Sequence, residues 1–70
     1  MQGHLQLNHD SKRWEIVNDD RTIELSCGAC IELHIGGHWI PTRIEYGDKS
    51  YYSTTKGTRL VQDLTARIEL

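Results

Sequence analysis

Apolar and polar residues alternate with a period of two along most of this chain. The clearest run is Ile31, Leu33 and Ile35, interleaved with Glu32 and His34. Side chains of a β-strand point alternately to opposite faces, so this run predicts a strand with one buried face. Gly36-Gly37 follows at once, and paired glycines suit a tight primed turn because both take positive φ freely. His38 to Tyr46 is then the return strand. A two-residue loop sets Ile35 against His38, His34 against Trp39, Leu33 against Ile40, Glu32 against Pro41, Ile31 against Thr42 and Cys30 against Arg43. Apolar residues gather on one face in this register, and a slip of one residue would invert every side chain. Pro41 has no N–H to give to a ladder, so it marks an edge position, a strand start or a bulge, with a bend expected there. Gly47-Asp48-Lys49-Ser50 forms a second turn and Tyr51 to Thr55 the next strand. Cys27 to Tyr52 is therefore two hairpins that share a central strand, and the rest of the chain is organised around it.

The flanks follow the same logic. Leu5 and Leu7 alternate weakly within His4–Leu7, and Asn8-His9-Asp10-Ser11 is rich in turn formers. Lys12 to Val17 alternates again, with Trp14 and Ile16 on one face. Asn18-Asp19-Asp20-Arg21 is a break, and Thr22 to Leu25 reads as a short strand or a helical turn. Near the end, Arg59 to Asp63 reads as a strand or a single turn. Ala66, Ile68 and Leu70 alternate with Thr65, Arg67 and Glu69 to give a closing strand. The expectation is an all-β chain: a small, mostly antiparallel, SH3-like barrel or roll of five to seven short strands, one domain over residues 1–70.

Composition narrows this picture. With 70 residues, no Phe and one Met, the core must rest on Ile, Leu and Val. So small a domain buries only about 60% of the surface of its unfolded chain, which favours self-association into a homo-oligomer. The formal net charge of -2 argues against a general nucleic-acid binder. One well-placed Arg still suffices to hold a phosphate or carboxylate. No window approaches the roughly 20 apolar residues of a membrane span, and the first residues lack the apolar core of a signal peptide. The expected location is cytoplasmic, where two cysteines are thiols rather than a structural disulfide.

Cys27-Gly28-Ala29-Cys30 has redox-motif spacing, but it precedes a strand and not a helix N-terminus. The same cysteines with His34 and His38 make a zinc-type donor set that a continuous strand would scatter, so no metal and no other cofactor is expected. Glu32 and Glu45 beside His34 suggest acid–base chemistry, yet carboxylates beside Arg43 read more simply as cross-strand ion pairs. No catalytic arrangement is legible, and no enzyme is expected. The stronger candidate is the polar face of the central hairpin. It presents Trp39, Arg43, Glu32, His34 and Glu45, with Tyr46, Tyr51 and Tyr52 near its rim. Trp, Tyr and Arg dominate binding hot spots. The structural alternative is that Trp39 covers the end of the barrel while Arg43 holds a glutamate. Lys12, Arg13, Lys49, Lys56 and Arg59 read as scattered solubilising charge. Several of them gathered on one rim would make a small anion site.

Leu25-Ser26-Cys27-Gly28, Ile31-Glu32-Leu33, the run from Trp39 to Tyr46, Tyr51-Tyr52 and Leu64 to Ile68 together resemble a family of small bacterial and phage-borne proteins catalogued as a domain of unknown function. The run WIPTRIEY is the specific part, and the likeness extends from about Trp14 onward. Ala29 stands where an acidic residue is expected in relatives. The resemblance implies an SH3-like β fold in a bacterial or phage setting and supplies no catalytic residue. Such a setting fits sequestration of a host signalling molecule (an anti-defence role) or inhibition of a host protein. The function expected is a non-catalytic binding module that engages a small anionic, nucleotide-like ligand through the Trp39–Arg43 face. The alternative is a protein–protein interaction module.

Overall fold

The computed structural model describes all 70 residues. Seven strands form in chain order: β1 Gln2–Leu7, β2 Trp14–Val17, β3 Thr22–Glu24, β4 Cys30–Ile35, β5 His38–Gly47, β6 Ser50–Ser53 and β7 Thr65–Arg67. They make one sheet in the order β3-β2-β1-β7-β4-β5-β6. Every pairing is antiparallel. The sheet is thus two three-stranded meanders, β1–β3 and β4–β6, joined through β7. It curls into a half-barrel, and no helix is present that could cross a membrane.

The central hairpin has the register its alternation predicts, rung for rung from Ile35–His38 to Cys30–Arg43. Gly36 and Gly37 have φ of 59° and 79°, the left-handed pair that a primed turn requires. Asp48 and Lys49 adopt the same geometry, φ 48° and 72°, without being glycines. Pro41 interrupts nothing. Its carbonyl accepts the Thr55 hydroxyl at 2.8 Å on the side away from β4, so its missing N–H would also have pointed away from that ladder. Pairing of β5 with β6 begins only at Ile44, which makes Pro41 an edge position, without a bulge.

The two uncertain elements resolve differently. Thr22–Glu24 is a strand paired with β2. Arg59 to Asp63 is not a strand: Leu64 N–H bonds the Val61 carbonyl at 3.3 Å and Asp63 takes a φ of 69°, which closes a turn instead. β1 begins at Gln2, earlier than its weak alternation suggests, because β7 holds it. The Met1 ammonium donates to the Ile68 carbonyl at 2.7 Å and Ile68 N–H returns a bond to Met1 at 2.8 Å. Two asparagines organise the N-terminal turns. Asn8 Oδ1 accepts from Asp10 and Ser11, and Asn18 Oδ1 accepts from Asp20 and Arg21.

Leu5, Ile16, Leu25, Ile31, Leu33, Ile44 and Ala66 form the buried apolar core. Nine residues of 70 are buried in all, so the interior is one layer deep. Gly3 faces Ala66 across the β1–β7 ladder, and a Cβ at Gly3 would collide with the Val17 carbonyl. That close approach is what lets β1 lie tightly between its neighbours. A Thr/Ser network ties the long β6–β7 connection to β5. Thr55 N–H bonds Thr42 Oγ1 at 3.1 Å, and Thr58 Oγ1 lies 2.6 Å from the Thr55 carbonyl and 2.8 Å from Ser53 Oγ.

Candidate functional site

Two surfaces carry aromatic and cationic side chains together. The first is the outer face of β7, β4 and β5. His34 and Trp39 are cross-strand partners with ring centroids 4.8 Å apart. Arg67 pairs with Glu32 across the β4–β7 ladder. Its Nε lies 2.8 Å from Glu32 Oε1, and its guanidinium sits 4.0 Å over the Trp39 ring. One guanidinium is therefore held by a carboxylate and an aromatic face at once. The Trp39 partner is Arg67, not Arg43. Trp39 and Arg43 are four residues apart on one strand, about 13 Å at the usual strand rise. Arg43 turns the other way, its Nε 2.7 Å from Glu45 Oε2, and Cys27 donates its S–H to the other oxygen of Glu45 at 3.2 Å. The expected face thus separates into a Trp39–His34–Glu32–Arg67 cluster and an Arg43–Glu45–Cys27 cluster.

The tyrosines divide as well. Tyr52 lies opposite Glu45, on the Arg43 side. Tyr46 and Tyr51 face each other on the opposite surface of the β5–β6 hairpin, with ring centroids 4.8 Å apart. Tyr51 belongs to the second surface, the mouth, where β6 at one end of the sheet comes up against the β1–β2 hairpin. There Arg13, just before β2, lies 5.6 Å over the Tyr51 ring on β6. A depression of about 400 Å³ is lined by Leu7, Lys12, Trp14, Lys49, Ser50, Tyr51 and Leu60. Leu7 and Trp14 are a cross-strand pair of the first meander. Lys12 and Lys49 come from the tips of two different hairpins, each held at positive φ (64° and 72°). Leu60 comes from the β6–β7 connection. In the sequence Lys12 opens the alternating run to Val17 and Lys49 sits in a turn, and periodicity carries no information on which hairpin tips the curl of the sheet brings together.

Charge pairing separates the arginines of both surfaces from the two lysines of the mouth. The chain has eight Lys and Arg residues, and Arg13, Arg43 and Arg67 make its three ion pairs. Lys12 and Lys49 make none. Five depressions indent the surface. The two beside Arg67 are also lined by Glu32 and Glu69, and the one at the second hairpin tip by Asp48. Only the mouth and a smaller neighbouring depression have basic walls without a carboxylate. Cys27 and Cys30 are free, exposed thiols. His38 is exposed at the Gly-Gly turn, and no group of three or more His, Cys, Asp or Glu converges as metal ligands would.

The chain is similar to a crystal structure of a protein from Ruminococcus gnavus, solved as a structural genomics target. The two are 28% identical and superpose with a TM-score of 0.82 over 97% of this chain and 100% of the other. No curated protein matches. The pattern of the family described as Domain of unknown function (DUF5348) matches residues 3–68, nearly the whole chain, from within β1 to just beyond β7. The chain therefore belongs to the DUF5348 family.

Proposed function

We propose that this protein is a non-catalytic binding module for a small anionic ligand with a planar or apolar portion, taken up at the mouth of the half-barrel. The observation that carries this reading is the pairing pattern. Lys12 and Lys49 line a depression walled by Trp14, Tyr51, Leu7 and Leu60, and no carboxylate lines it. An ammonium group without a carboxylate partner leaves its charge available to an incoming anion. Trp and Tyr provide large, stiff apolar walls on which a ring can rest. A nucleotide-like molecule combines both features. We favour the mouth over the Trp39–Arg43 face because Arg67 and Arg43 already pair with Glu32 and Glu45. In the cytoplasm of a bacterium or a phage-infected cell, such a module would sequester its ligand.

Isothermal titration with adenosine monophosphate tests the proposal. Wild type binds, and the Lys12→Gln/Lys49→Gln double variant binds at least about tenfold more weakly, since bonds to charged groups contribute roughly 1.5–3 kcal/mol each. Equal affinity of the two proteins would remove the lysines from the site.

The second reading is a protein-interaction surface. It is favoured by the Trp39–Arg67–Glu32 cluster between depressions of about 410 and 300 Å³. A half-buried Trp beside an Arg is a common anchor of protein interfaces.

A further inference from the structure

The mouth has a neighbour. Tyr51 and Leu60 line both the mouth and a second depression of about 220 Å³, whose other walls are Tyr52, Ser53, Thr58 and Arg59. No carboxylate lines this second depression either, and Arg59 makes no ion pair. Ser53 and Thr58 place two hydroxyls 2.8 Å apart in its wall. Thr58 is buried and hydrogen-bonded to Thr55, which anchors the loop immediately before Arg59 and Leu60. The net charge of the chain is -2, yet three unpaired cations border two adjoining depressions with one aromatic–aliphatic ridge between them.

We infer that the ligand carries two separated anionic groups, one held by Lys12 and Lys49, the other by Arg59, with a spacer lying across Tyr51 and Leu60. This rests on the reading of the mouth as a binding site and adds the ligand class. The first anion meets two point charges, which suit a phosphate in any orientation. The second meets a planar guanidinium, whose paired N–H groups match two oxygens of a phosphate or carboxylate. A ligand that reaches both sites gains from the second contact without paying the entropy of a second association.

The test compares adenosine monophosphate with adenosine 3′,5′-bisphosphate by isothermal titration. The bisphosphate is expected to bind at least about tenfold more tightly to wild type, in line with a charged hydrogen bond. Arg59→Gln should erase that difference by lowering bisphosphate affinity to the level of the monophosphate. Arg59 is exposed and makes no ion pair, so the variant is expected to fold as wild type does. Lys56→Gln is the control for general attraction by positive charge, because Lys56 is also exposed and unpaired but lines neither depression. It should preserve the difference. Two results overturn the second subsite while leaving the mouth standing: equal affinity for the two ligands, or a gain that Lys56→Gln lowers as much as Arg59→Gln does. Failure of both ligands to bind wild type overturns the mouth and the subsite together.

Discussion

The outer face and the mouth hold the same kinds of residue, one tryptophan and two or more cations each, yet they are chemically different surfaces. On the outer face every arginine has a carboxylate: Arg67 with Glu32, Arg43 with Glu45. At the mouth Arg13 is paired with Glu24, but Lys12 and Lys49 have no carboxylate partner. The difference teaches that residue type alone does not mark an anion site. A guanidinium whose Nε lies 2.7–2.8 Å from a carboxylate still has terminal N–H groups, but its charge is already offset, so a further anion gains less from it. An unpaired ammonium loses only water.

Both surfaces rest on one thin core, so the comparison can be broken most completely from inside. Leu33 is fully buried in β4, between β7 and β5. Leu33→Ala should cost about 2–5 kcal/mol in urea denaturation. A loss below about 1 kcal/mol would mean the interior is not packed as described.

The next largest effect reverses the mouth alone. Lys12→Glu with Lys49→Glu should weaken adenosine monophosphate binding by roughly a hundredfold, about 2.7 kcal/mol, while the urea midpoint barely moves because both side chains are exposed. Unchanged affinity would put the ligand elsewhere.

A third change asks whether pairing is what silences the outer face. Glu32→Gln with Glu45→Gln removes the carboxylates that Arg67 and Arg43 pair with. Stability should fall by no more than about 1 kcal/mol per pair, as for other partly exposed ion pairs. Calorimetry should then detect a second, weaker anion site absent from wild type. If none forms, pairing is not the distinction between the surfaces.

The smallest effect separates stability from binding at one residue. Lys49 has a φ of 72°, where a side chain is strained and glycine is not. Lys49→Gly should stabilise the fold by a few tenths to about 1 kcal/mol and still weaken anion binding. A destabilised variant would show that the Lys49 side chain supports the hairpin in a way its geometry does not reveal.

Local periodicity accounts for what could be read ahead of the structure. The alternation around Leu33 and the Gly36-Gly37 pair determine each other, so the whole β4–β5 register was legible. The position of β7 was not. Its three residues, Thr65 to Arg67, pair with β1 on one side and β4 on the other, and nothing in their alternation names those partners. Arg67 was therefore missed as the neighbour of Trp39, and Arg43, in plain view on the same strand, stood in its place. The mouth was illegible for the same reason at a larger scale. Lys12 and Lys49 are 37 positions apart in the chain. Only the curl of the sheet makes them neighbours, whereas Glu32, His34 and Trp39 follow from one hairpin.

The two tryptophans make the central claim directly measurable, since one reports on each surface. Trp39→Phe leaves Trp14 as the sole indole, and Trp14→Phe leaves Trp39. Each variant is titrated with adenosine monophosphate and its emission followed. A saturable change in the Trp39→Phe protein, with none in the Trp14→Phe protein, is the predicted result. A change seen only through Trp39 would contradict the account and return the site to the outer face.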